Sequence, residues 1–100
     1  MNILKVINGK VELRKDSGSL IRTVVNSDAI DADINNDGSL ILITTVKGKV
    51  ELRKESGSLI RTIVNMGAIG AQFSGADILV KTAKGKIEVR KESGSLIRTI

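Results

Sequence analysis

The segment GKVELRKDSGSLIRTV begins at Gly9, and near-copies of it begin at Gly48 (GKVELRKESGSLIRTI) and at Gly85 (GKIEVRKESGSLIRTI). The copies are 39 and 37 residues apart, and each matches the next at 14 of 16 positions. A period of this length is typical of repeat architectures, in which one unit cannot bury its apolar surface alone and neighbouring units must stack. The repeat therefore decides the kind of fold before any single residue does.

Short apolar strands separated by polar turns fill each unit. In the second unit, Ala29–Ile34 alternates, Leu40–Thr45 is a continuous apolar run, Val50–Arg53 alternates, and Leu59–Val64 follows a Ser-Gly-Ser turn. We label these strands A, B, C and D. No apolar stripe with a 3.6-residue period persists, so the pattern predicts an all-β protein. We expect a single repeat domain over residues 1–100 with eleven strands, in units 1–25 (B, C and D), 26–64 and 65–100 (both A to D).

The composition excludes several kinds of chemistry. The 100 residues include no Cys and no His, so the chain has neither thiolate metal ligands nor a histidine general base. We therefore predict no enzymatic activity and no cofactor. The sequence shows no signal peptide and no apolar run long enough to cross a membrane, and it favours a soluble cytoplasmic protein. The net charge of +5 favours acidic partners.

The second unit resembles a blade of a WD-repeat β-propeller. Asn36-Asp37-Gly38, Lys47-Gly48 and Ser56-Gly57 stand at the three turns of the family pattern, and Leu59–Ile63 matches its closing strand. The Trp-Asp and Gly-His pairs of typical members are absent, with Arg53-Lys54 in the place of Trp-Asp. The resemblance implies four-stranded antiparallel blades, about three in this chain, of which the first lacks its innermost strand. A β-trefoil, which also uses three repeats of about this length, is the alternative.

Closure of a propeller ring requires more than three blades. We therefore expect a homodimer that builds one six-bladed ring, since two-fold assemblies are the commonest. The expected seam joins the first unit of one chain to the last unit of the other. Its predicted residues are Ile3, Val6, Val11 and Leu13 on one side, and Ile78, Val80, Ile87 and Val89 on the other.

Two groups of polar residues are candidates for ligand binding. Asp33, Asn35 and Asp37 fit the first half of a calcium loop, although the acid expected at its twelfth position is Thr44, and an A–B turn is the simpler interpretation. The B–C turns concentrate lysines at one end of the predicted propeller. These lysines could form an anion-binding face or a solvated rim, and they are Lys10, Lys47, Lys49, Lys84 and Lys86.

These features favour a non-enzymatic binding scaffold that presents basic loops to a partner. The predicted partners are a second copy of the chain and an acidic protein or another anion. A lectin is an alternative, although sugar sites usually offer Trp or Tyr, and a recently amplified or engineered propeller without an evolved ligand is another. The near absence of aromatic residues, with Phe73 as the one example, disfavours nucleic acid. The recurring Glu-x-Arg triplets suggest ion pairs between strands or blades.

Overall fold

The computed structural model describes residues 2–100, and its regular structure is entirely β-strand. None of these residues belongs to a helix that could cross a membrane. Residues 2–100 form eleven strands. They are β1 (Asn2–Ile7), β2 (Lys10–Lys15), β3 (Leu20–Val25), β4 (Ala29–Ile34), β5 (Leu40–Thr45), β6 (Val50–Lys54), β7 (Leu59–Val64), β8 (Ala68–Ser74), β9 (Asp77–Thr82), β10 (Ile87–Lys91) and β11 (Leu96–Thr99).

The strands form three antiparallel sheets, one for each repeat. Sheet 1 contains β1 to β3, sheet 2 contains β4 to β7 and sheet 3 contains β8 to β11, each in chain order. Strands A to D of sheets 2 and 3 are thus consecutive hairpin neighbours, and sheet 1 has counterparts of B, C and D only. These are the predicted four-stranded blades, the first without its innermost strand. The β-trefoil alternative is wrong, because each repeat forms its own sheet and, within residues 2–100, no strand pairs with a strand of another repeat.

Each sheet has two faces, which the strand register identifies. Directly paired residues of an antiparallel ladder lie on the same face. Leu42 pairs with Leu52 on the face of sheet 2 that is directed at sheet 3, which we call the forward face. Ile41 pairs with Arg53 on the opposite, backward face, which is directed at sheet 1.

Two apolar layers hold the three sheets together. Between sheets 1 and 2 the fully buried side chains include Val11, Leu13, Ile41 and Ile43. Between sheets 2 and 3 they include Leu42, Val50, Leu52, Ile78 and Val80. Each of these aliphatic side chains contributes about 1.5–3 kcal/mol when it is removed from water. The continuous apolar run of β5 follows from this arrangement, because sheet 2 is covered on both faces.

Four of the residues predicted for the dimer seam are placed elsewhere. Val11 and Leu13 lie on the forward face of sheet 1 under sheet 2, and Ile78 and Val80 lie on the backward face of sheet 3 against sheet 2. All four are 0–1% exposed within one chain, so the prediction that they face a second copy is wrong.

The other four predicted seam residues divide between covered and open faces. Val6 pairs with Val11 and shares its forward face. Ile3 pairs with Arg14 on the backward face of sheet 1, and Val89 pairs with Leu79 on the forward face of sheet 3. Ile87 is on the same face as Val89. Ile3, Ile87 and Val89 therefore lie on the two sheet faces that no other sheet of the chain covers.

The B–C turn of sheet 2 lies very close to the loop that leads into sheet 3. Gly48 has a φ of 83°, and a Cβ atom added to it would lie 2.6 Å from the Gly67 backbone nitrogen. The Gly48 carbonyl also accepts a hydrogen bond of 3.0 Å from the Ala68 N–H, at the start of β8. Glycine is thus required at this turn both for its left-handed backbone and for the space beside it.

Gly48→Ala should therefore destabilise the protein more than Gly85→Ala does. Gly85 has almost the same φ, 85°, but no heavy atom lies within 4 Å of the Cβ position. We expect about 1–2 kcal/mol of backbone strain for Gly85→Ala. For Gly48→Ala we expect the same strain plus the loss of the β8 contact. Urea unfolding of both variants measures the difference, and equal losses of stability would contradict the proposed close approach.

Candidate interaction surface

One end of the molecule is built from the B–C turns and the loops that precede strand A. Val46 N–H donates to the Asp28 carbonyl over 2.8 Å, and Ala83 N–H donates to the Gly67 carbonyl over 2.8 Å. These bonds tie each B–C turn to the loop that enters the same sheet. We call this end the basic face, and define it as residues 7–10, 45–49 and 82–86 with the loops 26–28 and 65–67.

The five predicted lysines all lie on the basic face. Lys47, Lys84 and Lys86 are exposed, whereas Lys10 and Lys49 are half-buried at the starts of their C strands. None of the five forms a salt bridge with a residue in the described range 2–100. Asp28 is the one acidic residue in these turns and loops. The structure therefore brings the lysines together around one end of the chain.

Apolar side chains, which the sequence pattern did not indicate as part of a site, lie between these lysines. Met66 is 78% exposed in the loop before β8, and Val46 is 59% exposed beside Lys47. A recess of about 300 Å³ is lined by Met66, Ala83, Lys84 and Lys86, among others. One feature of the sequence could have indicated this site: Met66 occupies the position that the polar Ser27 has in the preceding loop. An exposed methionine beside lysines is typical of an adaptable contact surface.

The opposite end of the molecule differs in charge. Its C–D turns each begin with a lysine followed by an acid, as in Lys54-Glu55, and its A–B turn contains Asp37. The Glu55 N–H donates to the Ser39 carbonyl over 3.0 Å, which places the C–D and A–B turns side by side. The two signs of charge are interspersed there, so this end lacks the single-sign character of the basic face.

The Glu-x-Arg triplets have a structural role within each sheet. Arg53 Nη2 lies 2.9 Å from Glu51 Oε1 on the same strand, and Arg53 Nη1 donates to the Gly57 carbonyl over 2.6 Å. Sheets 1 and 3 repeat both contacts, through Arg14 and Arg90. The expected ion pairs between strands or blades are therefore wrong. Instead, each arginine spans from its own strand to the C–D turn and closes it.

The residues of the calcium candidate are engaged in backbone hydrogen bonds. Asn35 Oδ1 accepts from Leu40 N–H over 3.0 Å, and Asp37 Oδ1 accepts from both the hydroxyl and the N–H of Ser39. Both hydrogen bonds from Ser39 lower the pKa of Asp37 below its usual value, and the bond from the hydroxyl has the larger effect. Residues 2–100 include no group of three or more Asp, Glu, His or Cys side chains arranged to hold a metal ion. The geometry is that of an A–B turn.

Asp31 and Asp33 connect two sheets through their side chains. Asp33 Oδ2 accepts from Phe73 N–H over 2.8 Å, and Asp31 Oδ2 accepts from Ala71 N–H over 3.4 Å. Both donors belong to β8, the innermost strand of sheet 3, which has no strand on its inner side. The carboxylates on β4 thus satisfy backbone N–H groups that the edge of the next sheet would otherwise leave unpaired.

This architecture defines the chain as a β-propeller protein with WD-repeat-like blades. More particularly, residues 1–63 match the family model described as Helicobacter pylori IceA2 protein, and the chain belongs to this family. No curated protein matches the chain.

Three solved propellers are similar to the chain in structure. BamB from Moraxella catarrhalis has a TM-score of 0.77 and 20% sequence identity, and the match covers 99% of this chain and 32% of that chain. The C-terminal WD40 domain of Sif2 has a TM-score of 0.73 and 17% identity, with 98% of this chain and 30% of that chain covered. The WD40 beta propeller domain of Doa1 has a TM-score of 0.76 and 16% identity, with 98% of this chain and 36% of that chain covered. The chain spans about a third of the length of these structures. The low identities support the shared fold and nothing further.

A structural role of Asp33 between two sheets and a role as a calcium ligand predict different effects of mutation. Asp33→Ala removes the acceptor of the Phe73 N–H, so we expect the free energy of unfolding to fall by about 1–3 kcal/mol. Asp33→Asn keeps an acceptor oxygen and should retain much of the stability. Thermal unfolding with added calcium and with a chelator provides the control. A melting temperature that rises with calcium in the parent protein and not in Asp33→Ala would contradict the structural role.

Proposed function

We propose that the protein is a non-enzymatic scaffold that binds an acidic protein segment on its basic face. The observation that carries this proposal is the combination of lysines and exposed apolar side chains at one end of the molecule. Lys47 lies next to Val46 in sequence, and Lys84 and Lys86 line the recess beside Met66. Such a surface offers both electrostatic attraction and apolar area to a partner.

The chemistry of the basic face favours a protein partner over nucleic acid. Single-strand binders stack bases on aromatic side chains. Phe73 is the single aromatic residue of the chain, and it packs half-buried against the layer between sheets 2 and 3, away from the lysine-bearing turns. Methionine and valine can instead contact the apolar side chains of an acidic peptide.

The absence of catalytic groups supports a binding role. The full sequence contains neither His nor Cys. Glu12, Glu51 and Glu88 pair with arginines that hold the C–D turns, and Asp31 and Asp33 accept backbone hydrogen bonds. These carboxylates are used in structural contacts, and Asp28 is the one carboxylate on the basic face.

We also propose that the scaffold associates with itself. The backward face of sheet 1 and the forward face of sheet 3 both expose aliphatic side chains, with Ile3 44% and Ile97 38% exposed. Apolar surface of this kind is typical of interfaces. A homodimer would double the number of lysine-bearing turns around one end of the assembly, and would strengthen the binding of a polyvalent acidic partner.

Replacing Lys47, Lys84 and Lys86 with Ser should weaken the binding of poly-L-glutamate by at least tenfold at 0.1 M salt. The matched control replaces Lys15, Lys54 and Lys91, which are also exposed but lie at the opposite end, and removes the same charge. We expect the control to change affinity much less, because surface charges more than about 10 Å apart are screened at 0.1 M salt. A fluorescence titration at several salt concentrations measures both variants. Equal losses would mean that net charge alone attracts the polymer, and would overturn the proposed site.

A further inference from the structure

The forward face of sheet 3 repeats a surface that the chain covers twice elsewhere. Its apolar residues are Leu79, Ile87, Val89, Ile97 and Ile100, which occupy the positions of Leu42, Val50, Leu52, Ile60 and Ile63 in sheet 2. The sheet 2 set packs under sheet 3, where Ile63 is 5% exposed. On sheet 3 the counterpart Ile100 is 72% exposed. On this face Ile97 and Ile100 are thus open, Leu79 and Ile87 are half-buried, and Val89 is already 5% exposed within one chain.

The forward face of sheet 3 nevertheless has a different kind of residue at the positions of Asp31, Asp33, Leu40 and Thr44, and the first three of these contact strand A of the sheet that follows. The fourth is Lys81, which stands where sheet 2 has the buried Thr44. Gly70 and Gln72 replace Asp31 and Asp33, whose carboxylates bind the backbone of β8. Asp77 replaces Leu40, which joins the same apolar cluster as Phe73 of β8. Sheet 3 keeps an aliphatic residue at each of the other positions compared above. Its forward face thus suits a neighbouring sheet that has strands B, C and D but no strand A.

Sheet 1 is such a sheet. It has three strands, and its inner strand β1 is the counterpart of B. Its backward face is uncovered, and Ile3 occupies the position at which Ile41 and Ile78 are fully buried. We propose that sheet 1 of a second copy of this chain covers the forward face of sheet 3. This inference rests on the proposed self-association and identifies the two surfaces that meet.

The turns support the same pairing. A Cβ atom added to Gly57 would lie 3.3 Å from the Val24 carbonyl of the preceding sheet, and one added to Gly94 would lie 3.6 Å from the Ile63 carbonyl. Gly18 is the counterpart on sheet 1, and no heavy atom lies within 4 Å of its Cβ position. The counterpart of Val24 and Ile63 is Ile100. Sheet 1 therefore has the glycine of this repeated contact, Gly18, and sheet 3 has the residue that it would meet, Ile100.

Lys5 fits this seam for the same reason. It occupies the position of Ile43 and Val80 on the backward face of its sheet. A lysine there can lay its aliphatic stem over apolar side chains, while its ammonium group extends toward the space left by the absent strand A. The contact is head-to-tail, and a head-to-tail contact gives a closed ring when its rotation closes. Two copies of three blades form a six-bladed ring with two identical seams.

The test is the mass in solution of variants that alter one face at a time. Ile100→Glu places a charge in the proposed seam at a residue that is exposed within one chain. Leu59→Glu is the matched control, because the equivalent residues Leu20, Leu59 and Leu96 are 52%, 51% and 51% exposed whether or not a neighbouring sheet is present. Size exclusion coupled to light scattering at micromolar concentration gives the mass, and far-UV circular dichroism verifies the fold.

We expect twice the 10.7 kDa chain mass for the parent protein and for Leu59→Glu, and the single mass for Ile100→Glu. Ile3→Lys should also be monomeric. An equimolar mixture of Ile3→Lys and Ile100→Glu should recover the dimer mass, because it forms one unaltered seam and one seam with opposite charges.

Three results would overturn the proposal. They are a monomeric parent protein, a dimer that persists in Ile100→Glu as it does in Leu59→Glu, and a mixture that stays monomeric. An assembly of three or more copies would exclude the six-bladed ring. None of these results bears on the basic face, since poly-L-glutamate binding by a monomer would leave that proposal standing.

Discussion

The structure depends on the burial of one apolar sheet face against the next. A single four-stranded sheet with aliphatic residues on both faces cannot remove them from water by itself, so the repeats are stable only as a stack. The two layers around Leu13 and Leu52 provide this burial within the chain, and each fully buried aliphatic side chain contributes about 1.5–3 kcal/mol.

Polar contacts then determine how the sheets are arranged. The Asp33 carboxylate, the Gly48 carbonyl and the tight approach of Gly48 to Gly67 all act at the first or innermost strand of the following sheet. Apolar packing is not directional, whereas these hydrogen bonds are short and specific. Together they fix the position of strand A of one sheet relative to strand A and the B–C turn of the preceding sheet. The arginine bridge to each C–D turn, as from Arg53 to Gly57, keeps the outer end of every sheet in one conformation.

The repeated and unrepeated parts of the chain have different roles. The repeated segments supply strands C and D, which build the sheets and their packing faces. The loops and inner strands between them have diverged, so that Met66 stands in the place of Ser27 and Gln72 in the place of Asp33. Both the basic face and the open face of sheet 3 take their individual character from these diverged positions. The repeat therefore explains the fold and also supplies Lys10, Lys49 and Lys86 of the basic face, whereas the departures from it supply Met66 and the altered inner-strand positions.

The sequence by itself determined the strands, their order and the blade architecture, because alternation, turn residues and the repeat are local properties of the chain. It also predicted that the B–C lysines share one end. It did not determine which face of a strand meets which neighbour, since β1, β5 and β9 carry aliphatic residues on both sides. Ile78 was for this reason wrongly predicted at a seam between chains. Val11 was wrongly placed there because the alternation of β2 gives its apolar face but not the neighbour that covers it. Only the tertiary structure decided that they are covered within the chain, that Asp33 binds the backbone of β8, and that Met66 lies among the lysines. These outcomes depend on contacts between residues some forty positions apart, which no local pattern specifies.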